Sequence, residues 1–542
     1  MVRLFDAPWI QSPANKRNQV NGMEKVLVIG DDMRSFLATV RSLGRQGLQV
    51  HAAPYDMSSP ALTSRYIQQV HPLPFYLDGG KVWLDAISTL LERERFTLVI
   101  PCDERSLLPL IRHHTQLSAF SRLAIPDPLG MELFFDKHNT RELARSLSIP
   151  VASGRLLAAW DTPQTIVADI GLPLIAKYRK SYSWPEIYVS TRTAVLGTEP
   201  ELAEWLKKNQ SAGEEILFER LFPGVGVGVS VLCNDGKILQ AFEHHRVREL
   251  DGAGYYRKSA PIDPSRIAAV TKLVEKAQYT GIAMFEFKVD TSTNRWILLE
   301  VNARPWGSLP LPVSVGIDFP YRLYRLLAKE EISDAVDYKI DIYGRNLIQD
   351  LGQVRSVIQA NARSPLKLIA YLAQWLFEFR HLVAGREFHD GYASDDKQPG
   401  INEIKKACLS MAWGLRKKLF GSPKPARAGL REKIVADLQS GDAHIRILFV
   451  CEGNICRSPY AELKLWQLVQ KHADKFEIAS AGMLPRNRRA SPQIAIEAAA
   501  RRGVEMTTHL SEHAFDEKMK NATQVLIFDR VNYRSIMARY PR

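Results

Sequence analysis

The sequence predicts an α/β protein of several domains with an α+β part, and three stretches carry that prediction. EKVLVIG (24–30), a helical run and LQVHAAP form a β-α-β opening with a buried parallel strand. GIAMFEFKVDTSTNRWILLEVNARPWG (281–307) reads as two strands joined by a polar turn at 291–295. IRILFVCEGNICRSPYAEL (445–463) reads as a strand, a loop and a helix. At 542 residues the chain exceeds a single core and divides into about three globular parts. The expected segments are a disordered N-terminal extension (1–23), an α/β domain (24–130), a second domain (131–330), a helical connector with a basic linker (331–443) and a small parallel-sheet domain (444–542).

Composition narrows the function classes. The formal charge is +13, but 403–433 carries nine Lys/Arg against Glu403 and Glu432. More than half of the excess is therefore local, which argues against a general nucleic-acid surface. Five scattered cysteines do not make a disulfide framework and indicate a reducing, cytoplasmic setting. The first 22 residues hold no signal-peptide apolar run, and Met23 stands as an alternative start. No segment offers 18 uninterrupted apolar residues, so no membrane span is expected.

In the 281–307 hairpin, Met284, Glu286 and Lys288 share one strand face, and Glu300 and Asn302 share another. Acids on apolar strands are costly to bury alone. Hard oxygen donors on adjacent strands suit Mg²⁺, which binds through one or two carboxylates plus substrate phosphates. Arg304 is placed to face the same phosphates as a forked donor. The alternative is a hairpin with acids on its solvent face.

An acid on one strand, then Glu-x-Asn-x-Arg and Trp-Gly, resembles the metal-binding hairpin of ATP-grasp enzymes, above all their carboxylate–amine ligase branch. The resemblance implies an ATP-grasp fold in which Glu286, Glu300 and Asn302 hold Mg²⁺, with Mn²⁺ as an alternative, and Arg304 contacts the transferred phosphate. It makes Lys137 and Lys177 the two nucleotide-binding lysines, and Glu219, Arg220, Leu221 and Phe222 the hinge that holds adenine. Of Arg246 and Arg248, Arg246 is the better match to an arginine on the phosphates. The implied partners are ATP and small-molecule carboxylate and amine substrates. The likeness covers about 24–330. It departs at KYRKSYSWPE (177–186), where the family's lid loop has glycines and this chain has none.

Other features keep two readings. Gly30-Asp-Asp lacks the dinucleotide fingerprint. Asp103 and Glu104 either cap the following helix or touch substrate. The apolar helix 366–383, with Lys367, Gln374, Glu378 and His381 on one stripe, either packs on a domain or lies in a membrane interface. The basic helix 403–421, with Met411, Trp413, Leu415 and Phe420, shares that choice, and peripheral membrane contact through 366–421 is the alternative to a purely cytoplasmic protein.

Near the C-terminus, Cys451 and Arg457 are separated by five residues after an apolar strand. Ser458 reads as a helix N-cap with Pro459 at the first helical position. The loop Glu452, Gly453, Asn454, Ile455 and Cys456 converges backbone N–H groups into an anion nest beside a helix N-terminus. Both favour the thiolate of Cys451, and Arg457 is suited to bidentate phosphate binding. Metal binding by Cys451 and Cys456 is disfavoured, because no second Cys/His pair follows. Cys456 is placed to trap oxidised Cys451.

This loop and SAGMLPRNRRASPQIAIEAAARRGVEMTTHLSEH (480–513) resemble low-molecular-weight protein tyrosine phosphatases. The resemblance implies a small doubly wound parallel sheet and a phosphotyrosine protein as partner. In it Cys451 attacks phosphorus, Arg457 and the loop amides hold the transition state, Ser458 assists the thiolate and Asn454 shapes the loop. The family's general acid is an Asp before Pro. From 446 onward Asp474, Asp516 and Asp529 do not precede Pro, so the domain is expected to be C-terminally incomplete or impaired. Four readings remain: a ligase fused to a phosphatase, a phosphatase with a regulatory nucleotide module, a non-catalytic binding protein, and a C-terminal arsenate reductase. The last needs further resolving cysteines, and none follows Cys456.

Overall fold

The computed structural model describes residues 24–542 except 183, 185–186, 189–192, 210–214, 251, 333, 361–363, 421–444, 471–474, 515, 530–531, 534–535 and 538–542. The expected extension 1–23 and the linker 421–429 lie outside the described residues. The chain divides into two compact units, one of 24–54, 59–71 and 88–407, the other of 55–58, 72–87 and 408–542.

The first unit opens with a parallel sheet of β1 (Lys25–Ile29), β2 (Gln49–Ala53), β3 (Ile67–Val70), β4 (Leu98–Pro101) and β5 (Arg122–Leu123), in the order β3-β2-β1-β4-β5. Val26, Val28, Val50 and Ile100 are buried against Phe36, Leu37 and Val40 of the helix Ser35–Arg45. Burying each such side chain stabilises the fold by about 1.5–3 kcal/mol.

A second, antiparallel sheet contains β6 (Gly154–Leu156), β7 (Leu174–Tyr178), β8 (Ala194–Leu196) and β9 (Ile216–Arg220), in the order β6-β9-β7-β8. Its buried face packs on the helices Pro163–Ile170 and Glu199–Asn209.

The central sheet has seven strands: β10 (Val225–Asn234), β11 (Lys237–Leu250), β12 (Ala253–Ala260), β13 (Gly281–Val289), β14 (Trp296–Asn302), β15 (Tyr343–Arg345) and β16 (Glu387–His389). Their order is β14-β13-β10-β11-β12-β15-β16. Period-two alternation sends Val227, Val229, Val231, Ala283, Phe285 and Phe287 onto the helix Pro264–Lys276. The same alternation leaves Gly226, Gly228, Met284, Glu286 and Lys288 on the opposite face. Asp235-Gly236, both with positive φ, make the β10–β11 turn that the sequence signals.

The stretch expected as a helical connector is more than that. It supplies β15 and β16, and its acids reach back to buried arginines: Asp390 to Arg257 at 2.6 Å, Asp396 to Arg41 at 2.9 Å and Glu387 to Arg345 at 2.6 Å. Buried arginines need such partners, and acids at 387–396 bind this segment to the unit.

The helix Pro365–Glu378 keeps Lys367 and Gln374 exposed but turns the end of the polar stripe inward. Glu378 and His381 of the polar stripe face inward, to Arg248 at 2.5 Å and Tyr256 at 2.9 Å. Leu366, Ile369, Leu376, Phe377 and Val383 are each at least 60 % exposed. Among the described residues no helix is long and apolar enough to cross a membrane.

In the second unit β17 (Ile445–Cys451), β18 (Phe476–Gly482) and β19 (Gln524–Ile527) form a parallel sheet ordered β18-β17-β19. Ile445, Ile447 and Phe449 pack on Ala461, Leu465 and Trp466 of the helix Arg457–Val469. Leu448 and Val450 pack on Ala514, Met519 and Ala522 on the other face. Helices on both faces of a parallel sheet are the expected class.

Candidate active sites

Register creates the first site. Glu286 on β13 lies directly opposite Glu300 on β14, and Met284 opposite Asn302, with a register shift immediately after Glu286. Asn302 Nδ2 donates to Glu286 Oε1 at 3.2 Å, and Arg246 Nη2 donates to Glu286 Oε2 at 2.5 Å. Arg246 crosses β10 to reach that acid, and it can because the strands beside it carry glycine. A Cβ on Gly226 would sit 2.6 Å from Arg246 Cδ, and one on Gly254 would sit 2.9 Å from Cγ. Arg248 turns away to Glu378 and Asp350.

Burial raises the pKa of Glu286; Arg246 opposes that shift, and the charge of Glu300 adds to it. Two half-buried facing carboxylates and an amide form a hard oxygen set, which fits Mg²⁺. Arg304 donates to Glu104 at 2.6 Å and to Asn302 Oδ1 at 3.2 Å. Burial works against its charge, but Glu104 overrides this and holds its pKa above the ordinary arginine range. Its Nε is buried with no partner among the described residues. Asp103 caps the helix Glu104–Arg112 through Ser106 N at 2.9 Å, so of the two acids only Glu104 faces the site.

A cavity of about 800 Å³ opens here, lined by Glu104, Lys137, Tyr182, Trp184, Glu300 and Asn302 among others. Lys137 stands at the start of the helix Lys137–Ser146, with Asp136 as its cap, and donates to Ser181 Oγ at 2.7 Å. Burial lowers its pKa while Glu300 opposes that.

Lys177 on β7 is buried and pairs with Glu219 Oε2 at 2.5 Å; Arg141 takes Glu219 Oε1 at 2.8 Å. Glu219 is therefore not an exposed edge acid. Of the hinge that follows, Arg220 N–H donates to Ser153 O and Leu221 N–H to Pro173 O, while Phe222 is half-buried. Lys177 and Glu219 to Phe222 are not among the residues that line the cavity. Glu104 as the partner of Arg304 and Gly226 and Gly254 as the seat of Arg246 were not foreseen, since only strand register and fold bring them together.

The second site is the loop after β17. Cys451 Sγ lies 3.0 Å from Ser458 Oγ, and the Asn454 N–H donates to the sulfur at 3.2 Å. Asn454 adopts φ +50° and is fully buried. Its Nδ2 donates to Ser458 Oγ at 2.9 Å and to Ser480 Oγ at 2.7 Å, and its Oδ1 accepts from Glu512 N at 2.7 Å. Gly482 is required beside it, because a Cβ there would lie 2.9 Å from Asn454 N.

Glu452 is exposed and its carbonyl accepts from Leu484 N at 2.8 Å. Arg489 donates to Gly453 O at 2.7 Å, and Ile455 is half-buried. Burial and the neighbouring Cys451 raise the thiol pKa of Cys456. Arg457 pairs with Asp529 at 2.8 Å.

One local expectation is corrected. Cys456, not Ser458, occupies the N-cap position, and Ser458 sits inside the first turn. Its hydroxyl is taken up by Cys451, Asn454 and Ala481 O, so it has no part in capping. Ser480, Gly482 and Glu512 were visible in the sequence only as parts of a family stretch.

Residues 446–542 match the family model described as low molecular weight phosphotyrosine protein phosphatase. The "Probable low molecular weight protein-tyrosine-phosphatase EpsP" of Ralstonia solanacearum is 30 % identical over 95 residues, 18 % of this chain and 63 % of its own. A "Putative urea carboxylase" of Emericella nidulans is 23 % identical over 197 residues, 33 % of this chain and 15 % of its own. The chain thus spans less than two thirds of either relative. Among solved structures, the biotin carboxylase domain of Hydrogenobacter thermophilus 2-oxoglutarate carboxylase, bound to MgADP, ADP and bicarbonate, is similar at TM-score 0.48 and 16 % identity, over 59 % of this chain and 73 % of that one.

Proposed function

We propose that the first unit is an ATP-grasp ligase that joins a carboxylate to an amine, and that the second carries a phosphotyrosine phosphatase-like domain with a cysteine nucleophile. The observation that carries the ligase reading is that Lys137, Glu300 and Asn302 line one cavity while Glu286 and Arg304 bond to Asn302 and Arg246 bonds to Glu286. A substrate carboxylate oxygen attacks the γ-phosphorus of ATP, and ADP leaves. The amine nitrogen then attacks the acyl carbon, phosphate leaves, and the nitrogen loses a proton. Lys137, Arg246 and Arg304 supply preorganised positive charge to the phosphoryl oxygens. Glu286, Glu300 and Asn302 would hold Mg²⁺, or Mn²⁺, which when bound neutralises phosphate charge. Lys177 and the hinge Glu219, Arg220, Leu221 and Phe222 are assigned to the nucleotide.

At the second site Cys451 Sγ attacks phosphorus, the P–O bond to tyrosine breaks, and the leaving phenolate takes its proton from water. Water then cleaves the phosphocysteine. Arg457, Ser458 and the amides of 452–456 stabilise these steps.

The ligase is tested by Mg²⁺-dependent ADP release from the full chain with a panel of carboxylates and amino acids. Release is expected only with particular pairs, and to be lost in Glu300→Ala. Release that persists in that variant rejects the reading.

The segment 365–383, which forms the helices Pro365–Glu378 and Arg380–Val383, supports peripheral contact with an anionic membrane from the cytoplasmic side. Its exposed apolar residues are accompanied by Lys367 and Arg380, and Arg380 lies 3.9 Å over Phe377. The full chain is expected to float with phosphatidylserine vesicles and not with neutral ones. Replacing Leu376 and Phe377 by Ser should abolish flotation; flotation unchanged by those substitutions refutes the contact.

A further inference from the structure

Arg34 precedes the helix Ser35–Arg45, and its side chain lies on the backbone of Gly307. A Cβ on Gly307 would stand 2.9 Å from the Arg34 guanidinium carbon. The Trp-Gly that follows Glu-x-Asn-x-Arg therefore has a physical role: the missing Cβ leaves the Arg34 guanidinium room three positions after Arg304, and a side chain there would displace it.

Each neighbouring acid is committed elsewhere or stands off. Asp32 accepts from the N–H groups of Arg34, Ser35 and Phe36 and from Ser35 Oγ. Asp390 is held by both terminal nitrogens of Arg257. Glu403 is near enough to feel Arg34, but burial, with the charge of Asp390, pushes its pKa up to about 7, so it is a weak counter-ion at neutral pH. Among the described residues the Arg34 side chain makes no hydrogen bond and no ion pair within 4 Å. Arg246 and Arg304 have acids at 2.5 and 2.6 Å. Burial lowers the pKa of Arg34, Asp32 opposes this, and Arg257 and Arg304 add to it. A guanidinium in that setting gains from an anion.

The reacting carboxylate must face the γ-phosphate, where Lys137, Arg246 and Arg304 supply the charge. We propose that Arg34 grips a second, non-reacting carboxylate of a ligase substrate. This rests on the ligase reading and narrows the substrates: either the amine is an amino acid or the acid is a dicarboxylate.

The test is ADP release by the full chain with pairs from two matched sets. One set holds amino acids and their amides; the other holds dicarboxylates and their monoamides. Arg34→Ala should raise the KM of the carboxylate-bearing substrate roughly 10²-fold, as for a lost charge-assisted hydrogen-bond pair. It should leave the KM for ATP unchanged and leave the amide or monoamide unaffected. Whichever set shows the difference identifies the carrier.

Arg34→Lys should fall between, since a point charge replaces a fork. Gly307→Ala keeps Arg34 and should reproduce the KM increase by displacing it. If Glu300→Ala abolishes release while Arg34→Ala and Gly307→Ala leave every KM unchanged, the inference fails and the ligase stands. If no pair stimulates the wild type, both fall.

Discussion

Glutamine in place of Glu286 is expected to reduce Mg²⁺-dependent ADP formation by roughly 10³-fold or more, because a lost metal ligand removes several kcal/mol of charge stabilisation. The substitution keeps the shape of the side chain and its bond from Asn302. Arg246 retains Glu249 at 3.3 Å, so the fold should persist with a modest change in Tm. A pH effect accompanies it. Burial and Glu300 raise the pKa of Glu286 above its ordinary 4.5 although Arg246 opposes them. The folded state then binds this proton more tightly than the unfolded chain does. The stability that Glu286 contributes is present at acid pH and is lost as pH rises through its raised folded pKa. A cation held between Glu286 and Glu300 competes with that proton. Mg²⁺ should therefore raise Tm more at about pH 8 than at about pH 5.5, and this gain should vanish in Glu286→Gln. An Mg²⁺ shift that is equal at both pH values, or unchanged in the variant, places the ion elsewhere.

Local rules made much of this legible. Hydrophobic alternation and the turn at 291–295 fix which faces of β13 and β14 carry Glu286 and Glu300. The Asp235-Gly236 turn fixes the hairpin beside them. Contacts distant in sequence were not legible. Glu104 meets Arg304 across 200 positions, and no periodicity encodes that meeting. No local pattern marks Gly226 as the floor under Arg246; only the register of neighbouring strands reveals it. The apolar face beside the stripe of Lys367, Gln374, Glu378 and His381 reads as one that packs on a domain or lies in a membrane interface. Arg248, Arg345 and Tyr256 draw Glu378 and His381 inward instead, because buried cations demand acids more strongly than Leu366 or Phe377 demands cover. Ser458 misled for a related reason: a serine before proline has the grammar of a cap, but a thiol and an amide compete for the same hydroxyl.

Serine in place of Cys451 is expected to abolish hydrolysis of p-nitrophenyl phosphate, by at least about 10³-fold, since a hydroxyl at that position forms no thiolate. The loop is built around the sulfur. Asn454 holds it by main-chain N–H, and its side chain orients Ser458 and Ser480 and takes the N–H of Glu512. A serine Oγ is smaller and leaves those bonds in place, so Cys451→Ser should fold like the wild type and still bind inorganic phosphate. Asn454→Ala has the opposite signature. It leaves the thiol intact and strips Ser458, Ser480 and Glu512 N of a buried partner, at a cost of about 1–3 kcal/mol for each group stranded. Stability and rate should fall together in that variant. Acid quenching during turnover should trap phosphate on Cys451 in the wild type and not in Cys451→Ser. Turnover that survives Cys451→Ser would mean that the nest binds phosphate without attacking it, and the strand–loop–helix would then be a recognition site on a catalytic frame.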